Sequence, residues 1–200
     1  MKNTCYILRG LPGTGKSTLA RLLSAANNPE YCLDSFHVRT FSTDDLFINE
    51  QGVYEFDPSM LRQHHQENLR RATEFISRDL REDHEEIHMT RIAIIDNTNV
   101  QHWEYEPYVT AAEEAGWDVQ IIPLAWNYYD IPEYAKRTKH GVPEEAIRRM
   151  ADRWEDLPKK YVVFPTIHDK LRVDGRTQWS APPNNTPLSW QYDSTQTFDK

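Results

Sequence analysis

Apolar positions along this chain fall into two rhythms that take turns. Four short runs are apolar and rich in β-branched or aromatic residues: Thr4-Cys5-Tyr6-Ile7-Leu8, His37-Val38-Arg39-Thr40-Phe41, Arg91-Ile92-Ala93-Ile94-Ile95-Asp96 and Val119-Gln120-Ile121-Ile122-Pro123-Leu124. Their length and composition predict strands. The stretches between them carry apolar residues at helical spacing. Thr18-Leu19-Ala20-Arg21-Leu22-Leu23 is the first, stopped by Asn27-Asn28-Pro29. From Pro58 to about Glu82 one long helix is predicted, with Asp57 as its cap and Pro58 in its first turn. Met60, Leu61, Leu69, Ala72, Phe75, Ile76 and Leu80 form its apolar side, while arginines and His64 and His65 occupy the other. A third helix spans about Gln101 to Ala115 and ends at Gly116. Strands alternating with helices predict an α/β fold: a parallel sheet with helices on both faces and right-handed crossovers.

The later chain changes character. A helix start at Asp130-Ile131-Pro132-Glu133 leads to Lys136-Arg137-Thr138-Lys139-His140, then a break at Gly141-Val142-Pro143 and a second short helix. Ile147 and Met150 face inward on that helix, and Arg148, Arg149 and Arg153 outward. Beyond Pro158, Tyr161-Val162-Val163-Phe164 reads as a fifth strand, and Asp174-Gly175 as a hairpin turn. From about residue 181 to 200 the tail is rich in Pro, Asn, Thr and Ser, with Trp190 and Tyr192 able to dock. The expected organisation is one domain over 1–157, a strand and hairpin over 158–180, and a flexible or docked tail.

Length and charge then narrow the partners. Two hundred residues suit a single decorated domain, and a formal net charge of -8 argues against a broad basic face wrapping duplex. A local basic pocket gripping a strand end stays compatible with it. With two cysteines, Cys5 and Cys32, and no long apolar run, the expectation is a reduced, soluble, cytoplasmic protein without structural zinc or membrane contact.

Chemistry concentrates where the first strand meets the first helix. Gly10-Leu11-Pro12-Gly13-Thr14-Gly15-Lys16-Ser17 fits the phosphate-binding pattern of glycine, four residues, Gly-Lys-Ser. Its glycines let backbone N–H groups turn inward, and the helix beginning at Lys16 adds its positive end at the same point. Lys16 supplies a mobile charge for the β/γ-phosphates and the Ser17 hydroxyl a magnesium ligand. Nucleoside triphosphate binding is therefore expected, with ATP and Mg2+ as cofactors and Thr18 completing the loop.

Downstream residues supply the rest of a site. The second strand ends in Ser42-Thr43-Asp44-Asp45, and carboxylates at such an edge face the ligand crevice of an open α/β sheet. One aspartate can be catalytic and the other can cap the following turn. Asp96, closing a β-branched run, suits the magnesium-holding aspartate of P-loop enzymes. Asn97-Thr98-Asn99 can line the crevice or cap the next helix. The basic cluster at the Gly141-Pro143 joint, over about 133–146, is how a helical lid would carry positive charge to a phosphate.

Three segments carry a family resemblance: Gly10 to Thr18, Ser42-Thr43-Asp44-Asp45 and Ile94-Ile95-Asp96-Asn97-Thr98-Asn99. Ala135 to Pro143 is a fourth. Together they resemble the polynucleotide-kinase family of P-loop phosphotransferases, with an adenylate-kinase-like sheet. More narrowly they are similar to kinase-like proteins that bind a ubiquitin ligase, whose Tyr-x-Phe-Asp-Pro motif is echoed by Tyr54-Glu55-Phe56-Asp57-Pro58. The resemblance spans roughly residues 3–157. It implies that Lys16 and the loop hold the triphosphate, that Asp44 is the general base, that Asp96 lies near the metal, and that Arg137 with Lys139 steadies the transferring group. Relatives often place an arginine three residues after the base; here Phe47 stands there, where its ring could stack on a nucleobase.

The function expected is γ-phosphate transfer to a nucleic acid hydroxyl, foremost a polynucleotide 5′-OH, with Asp45, Phe47, Arg62 and Lys139 as candidate acceptor or lid contacts. A small-molecule kinase would use the same donor half. A nucleotide-binding interaction protein with little turnover is a third reading.

Overall fold

A computed structural model of the chain describes residues 2–27, 36–78 and 90–158. The predicted fifth strand, the hairpin, the tail, Leu80 and Cys32 lie outside the described residues.

Four strands form one parallel sheet: β1 (Thr4–Arg9), β2 (Phe36–Phe41), β3 (Thr90–Asp96) and β4 (Asp118–Pro123), in the order β2-β3-β1-β4. Because strand side chains alternate, the two central strands split their apolar residues between two cores. Leu8, Ile92 and Ile94 join Ala20 of α1 (Lys16–Ala26) on one face. On the other, Cys5, Ile7, Ala93 and Ile95 meet α2 (Leu61–Ser77) and α3 (His102–Glu114). In α3, Tyr105, Tyr108, Val109 and Ala112 are buried, one stripe at helical spacing.

The second helix is shorter than its pattern predicts. Asp57 does cap the segment, accepting from the Ser59 N–H at 2.9 Å, but the turn it caps is a 3-10 turn, Pro58–Met60. Helix α2 then stops at Ser77, where Arg78 turns extended with ψ 124°. Leu61 stays 37% exposed, while Asn68, a polar residue, is buried on the inner side and donates to the Tyr108 hydroxyl at 3.2 Å.

After β4, a 3-10 turn (Tyr128–Asp130) leads into α4 (Ile131–Arg137) and α5 (Glu144–Asp152). These two helices pack with the phosphate loop itself. Leu11, Val100, Ile131, Tyr134, Ile147 and Ala151 form a third buried cluster. The approach is close: a Cβ added to Gly13 would lie 2.2 Å from the Tyr134 carbonyl oxygen.

Arg9, fully buried, ties three segments together at the end of β1. Its guanidinium donates to the carbonyls of Asn99 (2.7 Å), Val100 (2.9 Å) and Glu155 (2.7 Å). It also lies over the rings of Tyr105 and Trp154, at 4.9 and 4.6 Å from their centroids. Desolvation lowers its pKa, and Tyr105, Glu104, Glu155 and Asp156 act in the opposite direction. The Glu155 carboxylate beyond α5 accepts from the His102 N–H at 2.7 Å, so the clamp also satisfies the first turn of α3.

This packing makes two stability predictions. Arg9→Met keeps apolar bulk but strands the Asn99 and Glu155 carbonyls, each at about 1–3 kcal/mol, while the Val100 carbonyl keeps the Glu155 N–H at 3.0 Å. Urea unfolding is expected to show a loss of at least about 2 kcal/mol, and a loss below about 1 kcal/mol would contradict the clamp. Gly13 and Gly15 both have positive φ, 80° and 100°, yet of the two only Gly13 has a close neighbour. Gly15→Ala is expected to lose about 1–2 kcal/mol from backbone strain alone. Gly13→Ala should lose clearly more; equal losses would mean that α4 does not press on the loop.

Candidate active site

The strand register sets the site. Leu8 pairs with Asp96 and Phe41 with Ile95, so the residues that follow β1, β2 and β3 emerge side by side. From β1 the chain travels to the β2 side of the sheet, and from β3 it travels to the β4 side. The crevice at that reversal is where ligands bind in open α/β sheets.

Backbone and side-chain bonds lock the three ends. Gly10 N–H donates to the Thr98 carbonyl at 3.0 Å. Asn99 adopts φ 48° and its side-chain amide donates to the Leu8 carbonyl at 2.7 Å. Asn97 Oδ1 accepts from the Thr43 N–H at 3.0 Å, holding the turn that carries Asp44 against the end of β3. These asparagines therefore brace the crevice. They do not cap α3, whose preceding Val100 N–H is taken by Glu104 at 2.8 Å.

Lys16 opens α1, directly after Gly15, the αL residue at its N-cap. Its ammonium donates across the loop to the Leu11 carbonyl at 3.1 Å, and the Thr14 hydroxyl donates to the same oxygen at 2.8 Å. Burial lowers the Lys16 pKa, while Asp96 and Asp44 both pull it back up. Asp96 is the mirror case. Burial raises its pKa, the Ser17 hydroxyl and Lys16 lower it, and Asp44 and Asp45 raise it further. Lys16, Ser17, Asp44 and Asp96 thus share one electrostatic neighbourhood.

That neighbourhood fits a magnesium ion. Ser17 and Asp96 offer hard oxygen ligands, and Asp96 Oδ1 is buried with no hydrogen-bond partner. Among the described residues no group of three or more His, Cys, Asp or Glu could hold a metal alone. Ser17 and Asp96 are the donor set that an ion shared with nucleotide phosphates would use.

On the acceptor side the structure redistributes the expected roles. Asp44 and Asp45 lie exposed on a 3-10 turn (Asp44–Phe47). Asp44 accepts a long 3.4 Å hydrogen bond from the Tyr54 hydroxyl, and burial together with Asp44 pushes that phenol up to about 12. The Tyr54 ring stacks on His140 from the α4–α5 turn, with centroids 3.7 Å apart and planes 24° from parallel. His140 also lowers the Asp45 pKa, behind Arg71, against the dominant effect of burial. On α2, His65 Nδ1 lies 3.2 Å from the Thr43 hydroxyl, and burial lowers its pKa.

Phe47 does not serve as a stacking platform. It is 4% exposed, enclosed by Tyr54, Phe56 and His64 at ring distances of 5.9, 5.0 and 4.3 Å. A phenylalanine at this point nucleates a small aromatic core under the 48–58 excursion. Arg62 is exposed on the first turn of α2, and the histidine three residues on makes the contact beside Asp44. Arg137, in the last turn of α4, and Lys139 after it are exposed. His140 is the residue of that segment that meets the carboxylate side. Tyr54 belongs to the Tyr-x-Phe-Asp-Pro motif and His140 to the basic lid cluster; only the fold brings them together.

A family model described as an AAA domain matches residues 6–157. Human NEDD4-binding protein 2 is 36% identical over 174 residues, covering 83% of this chain and 8% of that protein. Human YLP motif-containing protein 1 is 26% identical over 168 residues, 76% of this chain and 7% of that protein. The chain thus spans only a small part of the relatives it matches. Among solved structures, Chaetomium thermophilum Kti12 in complex with ADP-AlF3 aligns at TM-score 0.49 and 15% identity, over 76% of this chain and 80% of that one. With a family match over most of its length, the chain belongs to the AAA-domain family, and its glycine loop and parallel sheet order are those of a P-loop nucleotide-binding domain.

Proposed function

We propose that this domain is an ATP-dependent phosphotransferase whose acceptor is the 5′-hydroxyl of a polynucleotide. One observation carries the reading: Asp44 lies within the same electrostatic neighbourhood as Lys16 and Asp96, across the crevice from the phosphate loop. A switch or motor needs the loop and Asp96; a carboxylate facing them from the end of a second strand is what a hydroxyl acceptor requires.

The donor half consists of the loop amides from Gly10 to Thr18, Lys16 and Ser17. Ser17 and Asp96 would hold magnesium, which supplies charge neutralisation at the β/γ-phosphates when bound. Asp44 accepts the proton of the acceptor O–H as the new oxygen–phosphorus bond forms at the γ-phosphate, and the bond to the β-phosphate oxygen breaks to release ADP. Tyr54 orients Asp44 through its hydrogen bond. Arg137 and Lys139, exposed beside the stacked His140, are available to reach the transferring group, where added positive charge stabilises the transition state.

Magnesium, γ-labelled ATP and 5′-OH oligonucleotides test the proposal. Label on the oligonucleotide is expected, and none on any DNA or RNA with folded protein would overturn it. Asp44→Asn should retain ATP binding while transfer drops by about 10²–10⁴-fold. Lys16→Ala should lose ATP affinity as well. A second reading, a nucleotide-dependent interaction domain, draws on the similarity to a relative named for binding NEDD4. Under it ATP binds, no acceptor is phosphorylated, and Asp44→Asn changes nothing. Inhibition of ATP turnover by a metabolite but not by oligonucleotides would favour a small-molecule acceptor.

A further inference from the structure

The sheet's β2 edge carries a groove of about 320 Å³ that the catalytic reading leaves unused. Arginines 39, 71, 78 and 91 and His37 line it, and Glu74 is the one carboxylate among the described residues of its lining. In a chain of net charge -8, four arginines around one groove are a marked local reversal. The opposing carboxylate is already engaged, since Glu74 and Glu67 pair with Arg70 on the outer side of α2.

The groove's construction is ordered. Phe75 of α2 is 5% exposed and forms its floor. The His37 ring meets Phe75 edge-on with centroids 5.1 Å apart. Arg39, exposed on the edge strand, holds its guanidinium 5.9 Å from the Phe75 centroid. Beneath, Arg91 is fixed by its bonds to the Phe75 and Ile76 carbonyls at 2.8 and 3.4 Å. Arg39 and Arg71 have no hydrogen-bonded carboxylate among the described residues. Aromatic and backbone supports that pre-order guanidinium groups, with water on the open side, suit the planar recognition of phosphate oxygens.

The groove also leads to the reaction centre. His37 and Arg39 share one face of β2 with Phe41, and the strand runs on into Ser42, Thr43 and Asp44. At about 3.3 Å per residue, the strand from His37 to Phe41 covers roughly 13 Å, and Asp44 follows three residues on, at the start of the 3-10 turn. Arg71 bridges the interval, since its charge acts on Asp45, the neighbour of the candidate base. A ligand spanning this path must be anionic at repeated intervals and end in a hydroxyl. Successive phosphodiesters meet both conditions.

We propose that the Arg39–Arg71 groove is the track for the phosphodiester backbone of a single-stranded polynucleotide whose 5′ end lies at Asp44. This rests on the polynucleotide 5′-kinase reading above and deepens it: the arginines act in acceptor binding, remote from the transferred phosphate.

The test uses the full chain with Arg39→Gln, Arg71→Gln and the double variant. Fluorescence anisotropy of a labelled single-stranded oligonucleotide at several salt concentrations gives binding, and steady-state transfer gives kcat and KM. Oligonucleotide affinity is expected to fall about tenfold per arginine, and KM to rise in step. The slope of log affinity against log salt should fall by about 0.7 for each phosphate no longer neutralised. In Arg39→Gln, neither the KM for ATP nor turnover of a nucleoside 3′-monophosphate, too short to reach the groove, should change. Wild-type affinity and salt slope in the double variant would overturn the proposal, as would an equal loss with the short acceptor. Arg39→Gln alters only an exposed edge position, so it decides the question if the double variant fails to fold. If wild-type protein transfers to no oligonucleotide, the kinase reading fails, and anisotropy still decides the groove: arginine-dependent binding supports it, and absence of binding refutes it.

Discussion

Arg9 is the constraint on which the other contacts in this domain depend. A guanidinium without access to water is tolerable only when it is hydrogen-bonded, and the carbonyls it binds come from parts of the chain 90 to 146 residues away. The bonds made by Nε and Nη2 of one buried charge thus fix where β1 ends, where the segment after β3 turns, and where the chain goes after α5. The phosphate loop begins at the next residue. Its position relative to Asp96 is inherited from this clamp and from the Asn99 side chain that holds the Leu8 carbonyl.

A second level of organisation is electrostatic. Burial lowers the pKa of Lys16 and raises that of Asp96, so it disfavours the charged form of each, while the charge of each favours that of its partner. Such a pair is coupled, and anything anionic entering the loop shifts both. Asp44 differs, because it lies exposed beyond the pair and its hydrogen bond comes from a phenol pushed up to about 12. A phenol of that kind stays a donor across the whole working range of pH, so it orients the carboxylate without competing for its proton.

How much of this is legible in the sequence depends on the range of the interactions. Strands, helix order and the loop are readable because each expresses a local pattern: β-branched runs, helical spacing, glycines before lysine and serine. Helix α2 ends earlier than its pattern because its termination is tertiary, with Arg91 from β3 taking the Phe75 and Ile76 carbonyls of its last turn. Phe47 departs from its expected role for a related reason. Exposure of an aromatic cannot be read from its neighbours when the rings that bury it, Phe56 and His64, arrive from the far side of a loop. Arg9 gives no signal, since one arginine at a strand end resembles any surface cation. The Tyr54–His140 stack is equally silent, joining two distant segments with no shared motif.

The packing of α4 and α5 also limits what a lid can do here. Leu11, Ile131 and Ile147 are fully buried between these helices and the loop, and the Tyr134 carbonyl presses on Gly13. Swinging both helices away as a body would expose side chains worth about 1.5–3 kcal/mol each, and would withdraw support from the loop that binds phosphate. The turn between the helices is held differently. Thr138 ties its own segment through bonds to Ala135 and Val142, Gly141 sits at φ 63°, and its main reach outward is one exposed stack of His140 on Tyr54. Displacing that turn costs one ring contact and leaves the buried cluster intact. Under the proposed phosphotransferase reading, closure over an acceptor falls to the 138–143 turn, and the tyrosine it would release is the one bonded to Asp44.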